Sequence, residues 1–332
     1  MIALSTRDLW TKVVLSSVDS RSLDVARKHL KLAGGRSGSL LNLTLVARPT
    51  LTALTPDEIH SITPFALRST SITAHNRAIE PLFRNLKTLP YLRSLTINIA
   101  GSSAHYKADI SLPRLRDLHV LHATYLAHEK AFSFASIMCH PGFTMQSLPL
   151  EQLTRLTLTN ISPKAVCAFV ACCPNLTTLD LRNMLHRTQI KEKQGTMLCL
   201  HLKTLRFVVT TKWVVDHLVS AIHSPLLAGL EVDSADLLPR LDRMSVKHVS
   251  TLRIKNGATL LDLEATSFQS ALQSFDSLDV LQLEHPEGKE EAILTFVKQA
   301  WRSPKLLHVV IGVYSFVTGG SGGSNDVDMD GA

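Results

Sequence analysis

Residues 89–97 read LPYLRSLTI and residues 112–120 read LPRLRDLHV, one phrase written twice: apolar, x, x, Leu, x, x, Leu, x, apolar. It returns as LEQLTRLTL (150–158), CPNLTTLDL (173–181), CLHLKTLRF (199–207) and SPLLAGLEV (224–232). It continues as VKHVSTLRI (246–254), FDSLDVLQL (275–283) and SPKLLHVVI (303–311). With 45% hydrophobic residues, four apolar hits in one window occur by chance about 4% of the time, so apolarity alone decides little. The leucines decide more. The fourth position is Leu in eight of the nine phrases, and so is the seventh, with Val249 and Val309 the exceptions. Five phrases carry Pro at the second position, although the whole chain has only 14 Pro in 332 residues.

Successive phrases start 23, 38, 23, 26, 25, 22, 29 and 28 residues apart. An internal period of about 20–29 residues is the mark of a leucine-rich repeat. The long step is read as an insertion from His122 to Ser147. Leu-x-apolar alternation at the end of each phrase is a short strand with one buried face. Proline at the strand start lies outside the hydrogen-bonded ladder and is tolerated. Helical spacing recurs between phrases. Ser162-Pro163 reads as an N-cap and first helical residue, followed by Ala165, Phe169 and Cys172 on one face. Lys212–His223 places Val214, Leu218 and Ile222 together, and Glu290–Arg302 places Leu294, Val297 and Trp301 together.

The expected fold is therefore α/β: an irregular leucine-rich-repeat solenoid, a horseshoe with a parallel sheet on its concave face and helices on its convex face. Irregularity is expected because the consensus Asn or Cys three residues past the final strand residue is absent. Ala100, Met184, Gly257 and Tyr314 stand at such positions. Three segments are expected: an N-terminal cap over 1–46, the solenoid over 47–318, and a disordered Gly/Ser/Asp tail over 319–332. In the cap, Leu23, Ala26 and Leu30 share a helix face ended by Gly34-Gly35, and Leu41, Leu43 and Leu45 alternate as a strand. A further strand near Ser69–Thr73 fits the same alternation.

Residues 2–11, IALSTRDLWT, resemble the closing segment of the F-box motif in fungal F-box proteins, with Leu4, Leu9 and Trp10 carrying the likeness. In that family a helix like Ser22–Lys31 and a strand like Leu41–Leu45 follow, and then leucine-rich repeats. The same order holds here, so the resemblance covers most of the chain. It implies the substrate receptor of a ubiquitin ligase, tied to a cullin through a Skp-type adaptor. Only the last few residues of an F-box precede Thr11. The expectation is thus a substrate-binding half, with adaptor and cullin as partners only where a full F-box stands upstream. The alternative is a stand-alone repeat scaffold with no ligase link.

The charge is +7, and residues 1–93 hold 13 Lys/Arg against 6 Asp/Glu. A basic segment invites nucleic acid, but Arg27, Lys28, Lys31 and Arg36 are not interleaved with aromatics. They read as a solvated face, and nucleic acid is not the expected partner. Five cysteines do not make a disulfide framework. No leader and no membrane-length apolar run are visible, so cytoplasm or nucleus is the expected compartment.

No HExxH, P-loop or dinucleotide fingerprint occurs. Gly319–Gly323 matches G-x-S-x-G only in a Gly/Ser tail that lacks the required strand and helix. Cys167, Cys172 and Cys173 lack zinc-ligand spacing, and Cys173 fills an apolar position of a phrase, as a buried thiol. Asp180 and Glu231 could meet on the sheet. No catalytic residue, metal or cofactor is expected. Function is expected on the side chains that alternate with the buried strand residues. These are Asp117, His119, Arg155, Thr157, Asp180, Arg182 and Arg206, then Glu231, Asp233, Arg253, Lys255, Gln282 and Glu284. Their mixed charge suits recognition of another protein by specific pairing.

Overall fold

A computed structural model describes residues 12–15, 20–32, 40–45, 54–99, 110–122, 148–161, 163–184, 196–244, 246–301 and 307–318. The chain divides into two compact units, Met1–Leu176 and Thr177–Ala332. The fold is mixed α/β and dominated by mostly parallel sheet, with thirteen main strands, six in the first unit and seven in the second.

In the first unit β1 (Lys12–Leu15), β2 (Leu41–Leu45), β3 (Ser69–His75), β4 (Ser94–Ile99), β5 (Asp117–His122) and β6 (Arg155–Thr159) lie side by side in chain order. Every pairing among them is parallel. Helices α1 (Ser20–Leu32), α2 (Pro56–Ala66) and α3 (Asn76–Asn85) connect the first four strands, and α4 (Pro163–Ala171) follows β6. Helix α2 starts with a reciprocal cap. The Glu58 amide donates to Thr55 Oγ1 at 3.3 Å, and the Thr55 amide donates to Glu58 Oε2 at 2.8 Å. Two orphan helix donors are satisfied at once.

In the second unit β7 (Thr178–Arg182), β9 (Thr204–Val208), β11 (Gly229–Ser234), β12 (Thr251–Asn256), β13 (Val280–Leu283) and β14 (Leu307–Ile311) run parallel in chain order. The last strand, β15 (Tyr314–Thr318), turns back antiparallel to β14. Two short strands, β8 (Met197–Leu198) and β10 (Ile222–His223), pair separately. Helices α5 (Lys212–Ala221), α6 (Ala265–Gln273) and α7 (Glu290–Ala300) connect main strands, while 3₁₀ segments Ala235–Arg243 and Gly257–Asp262 follow β11 and β12.

The repeated phrase explains this order. In the eight phrases whose opening residues are described, the first four form a turn in which the fourth amide donates to the first carbonyl. Leu92 N to Leu89 O is 3.3 Å, Leu115 N to Leu112 O 3.2 Å, and Leu176 N to Cys173 O 3.1 Å. The second position is thus the i+1 corner of a β-turn, whose φ proline pre-sets. That is a stronger reason for proline than mere tolerance at the strand start. The strand begins at the sixth position in eight of the nine phrases, and one residue earlier in β14. The seventh residues then fall in register: Leu95, Leu118 and Leu156 in the first unit, and Leu179, Leu205, Leu230, Leu252, Leu281 and Val309 in the second. All are at most 2% exposed. Each such aliphatic burial contributes about 1.5–3 kcal/mol.

Strand exits come in two kinds, as the missing consensus residue led one to expect. After β6, β7, β9 and β13 a residue adopts positive φ: Asn160 (58°), Asn183 (50°), Val209 (51°) and His285 (47°). After β11 and β12 no residue takes positive φ and the chain winds into 3₁₀ turns. Asn tolerates the left-handed region, whereas β-branched Val209 is strained there. Gly257 starts the second 3₁₀ segment against β13. A Cβ on it would stand 2.9 Å from the Glu284 carbonyl oxygen, so only glycine fits that approach.

Several local expectations need correction. Cys172 is exposed, because α4 ends at Ala171 and the chain leaves the packed face; Ala165 and Phe169 are buried. The buried stripe of α7 is Ile293, Val297 and Ala300, and Leu294 and Trp301 are half-buried. Ile222 is buried in strand β10, not as the last turn of α5. The strand expected near Ser69–Thr73 is β3. Leu4, Leu9 and Trp10, Ser162, Gly34-Gly35, residues 123–147 and the 319–332 tail lie outside the described residues. Among the described residues no helix is long and apolar enough to cross a membrane.

Candidate functional site

Positions six, eight and ten of each phrase alternate with the buried residues and so stand on the opposite side of the strands. Parallel pairing lines up like positions of successive phrases into rows. The two units carry different rows.

In the first unit the eighth-position row is Thr44, Thr73, Thr96, His119 and Thr157. Beside it run Asn42, Ser71, Ser94, Asp117 and Arg155. His119 Nε2 lies 3.0 Å from Thr159 Oγ1. Thr70 donates through Oγ1 to the Leu41 carbonyl at 3.2 Å and to Asn42 Oδ1 at 3.3 Å, one strand across. From β2 to β6, apart from Asp117 and Arg155, these rows are hydroxyl, amide and imidazole; on β1 they end in Val14 and Lys12. Sequence reasoning found Asp117, His119, Arg155 and Thr157 but not Thr44, Thr73 or Thr96. Thr44 and Thr73 lie on strands without the phrase. The Leu-x-Leu-x-Leu alternation around Thr44 and the Ile72-x-Ala74 alternation around Thr73 were the available signals.

In the second unit the same row reads Asp180, Arg206, Glu231, Arg253 and Gln282 and closes on Val310, with charge sign alternating over its first four members. Two residues on stand Arg182, Asp233, Lys255 and Glu284. Glu231 is the hub, its side chain only 7% exposed. Its Oε2 lies 3.2 Å from Arg206 Nε and 3.7 Å from Arg253 Nη1, and its Oε1 lies 3.2 Å from Lys255 Nζ. Arg253 also pairs with Glu284 through Nη2. Arg182 Nε donates to Asp180 Oδ2 at 2.9 Å. That hydrogen bond, with the Asp180 and Glu231 charges, raises the Arg182 pKa above its already high ordinary value despite partial burial.

Asp180 and Glu231 do not meet: Arg206 stands between them in register. The face is also layered by sign. Asp180 and Glu231 sit low, while Arg182, Arg206, Arg253 and Lys255 stay a third to a half exposed above them. A short carboxylate next to the backbone cannot reach past a long arginine or lysine, so the anions anchor the cations.

Nothing else among the described residues gathers acid–base or nucleophilic groups. No three His, Cys, Asp or Glu come together as metal ligands. Burial pushes the Cys199 thiol up to about 11, far from thiolate chemistry. Burial lowers the His217 pKa, but His217 stacks on Trp213 along α5 with ring centroids 6.0 Å apart. An open hollow of ≈ 340 Å³ in the first unit is lined by prolines, aliphatics, Ser111, Glu151 and Gln152. No protein-family model matches the sequence, and the search of curated proteins finds no match.

Proposed function

We propose that this chain is a non-catalytic recognition protein, a leucine-rich-repeat solenoid that offers its strand face to another protein. The observation that carries this is the alignment of the eighth positions into a row of mainly polar side chains in each unit, over a floor of buried leucines. Such a floor holds the rows fixed, and preordered side chains lose less entropy on binding. In this reading the strand side is concave and the helices are convex.

The phrase around Trp10 supports a narrower form of the proposal, in which the chain is the substrate-binding part of an F-box ubiquitin-ligase receptor. If in-frame upstream sequence completes the F-box, the extended chain co-purifies with a Skp-type adaptor. An extended chain that does not leaves the stand-alone scaffold.

The test of the general proposal is site-specific photocrosslinking in the source cell. A photoreactive residue at Thr96 or Gln282 on the strand face should trap a protein partner. The same residue at Glu291 or Lys298, exposed on α7, should not. Adducts confined to α7 would reverse the assignment of the binding face.

A further inference from the structure

We propose that the second unit's strand face recognises an acidic, extended peptide segment of its partner, with partner carboxylates seated on Arg206, Arg253 and Lys255. This rests on the strand face being a binding surface and adds the chemistry of what it binds.

Charge count alone would not select an acidic partner. Arg182, Arg206, Arg253 and Lys255 are balanced by Asp180, Glu231, Asp233 and Glu284. Depth selects it. The Asp180 and Glu231 side chains are 5% and 7% exposed, whereas those of Arg206 and Arg253 remain 39% and 35% exposed. An approaching segment meets Arg206 and Lys255 before their counter-ion Glu231, while Glu284, 23% exposed, lies beside Arg253. The cations are also held in place. Glu231 touches three of them, and the Nε atoms of Arg206 and Arg253 are buried. Among the described residues Arg206 has no ion-pair partner besides Glu231. The Arg206 guanidinium, paired through Nε, still offers its terminal N–H groups in the planar fork that matches a carboxylate, while Arg253 turns Nη1 to Glu231 and Nη2 to Glu284 and adds its partly exposed charge.

Spacing fits an extended chain. Arg253 and Lys255 are two residues apart on β12, about 6.7 Å along a strand, which equals the repeat of same-side residues in an extended peptide. Arg206 and Arg253 are two strands apart, about 9.6 Å at the usual inter-strand spacing. Carboxylates at alternate peptide positions can therefore engage Arg253 and Lys255 together, and a flanking carboxylate can reach Arg206.

A nucleic-acid backbone fits less well. Glu284 stands beside Arg253, Asp233 shares the tenth-position row with Lys255, and the eighth- and tenth-position rows hold no aromatic side chain on which a base could stack.

The test uses the full chain and fluorescein-labelled twelve-residue peptides read by fluorescence anisotropy. One peptide alternates Glu and Ser, one alternates Gln and Ser, and a twelve-nucleotide single strand serves as the rival polyanion. The Glu peptide should bind at least about tenfold tighter than the Gln peptide, as desolvated charge pairing requires. Replacing Arg206 and Arg253 together by Ala should abolish that difference. Arg206→Lys with Arg253→Lys keeps the charge and loses the fork, and should fall between the two. Lys255→Gln should weaken binding, and Lys298→Gln, exposed on α7, should leave it unchanged. Equal binding of Glu and Gln peptides, or tighter binding of the oligonucleotide than of the Glu peptide, overturns the proposal. If Gln282 crosslinks a partner that the Glu peptide does not displace, recognition by the strand face stands and the acidic-segment assignment falls. If neither Thr96 nor Gln282 traps a protein, both fall.

Discussion

The eighth-position row is Thr44-Thr73-Thr96-His119-Thr157 in the first unit and Asp180-Arg206-Glu231-Arg253-Gln282 in the second. The backbones beneath them obey one rule: parallel strands in chain order, with buried aliphatics at the seventh position. Architecture and surface chemistry are thus separable along a single strand. Buried positions fix where the strand lies, and the residues between them remain free to be neutral or charged. A threonine row is short, stiff and weakly interacting. The charge row ties Arg206, Glu231 and Arg253 to one another across neighbouring strands.

The comparison breaks first if the leucine floors are unequal. Leu95→Ala and Leu252→Ala each remove a fully buried side chain, and each should lower unfolding stability by about 3 kcal/mol. Chemical denaturation followed by circular dichroism reads this, and a large cost in only one unit would show that the two floors are not equivalent.

Next comes the row itself. Glu231→Gln leaves three cations around a neutral amide and should cost about 2 kcal/mol, below the range for fully buried pairs because the cations are partly exposed. Thr96→Val, the matching change in the first unit, should shift stability by no more than about 0.5 kcal/mol. Equal effects would mean that the charge row is decoration. Strand exits sharpen the contrast in the opposite direction. Val209→Gly relieves positive φ at an exposed position and should stabilise by about 1 kcal/mol, raising the thermal midpoint.

The smallest effect separates the helix side of the second unit from its strand side. Burial places the folded His217 pKa below the ordinary 6.5. Between the lowered and the ordinary value the unfolded chain binds the proton and the folded chain does not. Stability is therefore full above the ordinary value and declines as pH falls through that window. His217→Phe should flatten the slope of thermal midpoint against pH. A slope that survives the substitution would move the pH dependence elsewhere in the chain.

Strand positions were readable because Leu at the fourth and seventh positions is demanded by burial, and burial is what a sequence records most directly. Which residues alternate with the buried ones followed from the pattern and points to thirteen candidates, but Thr96, on the first phrase, and Thr44 and Thr73, on strands without the phrase, were not among them. Depth was not readable. Asp180 and Arg206 alternate with leucines in the same way, yet one lies beneath the other, because side-chain length and the neighbouring strand decide it. The α7 stripe was misjudged by one residue for a similar reason: Ile293 and Leu294 are equally apolar, and only packing chooses between them. Helix α2 carried its own signature, Thr55-Pro56-Asp57-Glu58, and could have been found.

The reversal at β15 has one more consequence. Gly312, at φ +59°, turns the chain so that the sheet in this unit ends on a strand of opposite polarity. A row of parallel strands with a bare final edge is a template on which another molecule could continue the same direction, and head-to-tail copies would then grow without limit. With β15 in place, the outermost hydrogen-bonding groups run the wrong way for such continuation, which guards this edge against filament growth without any added charge.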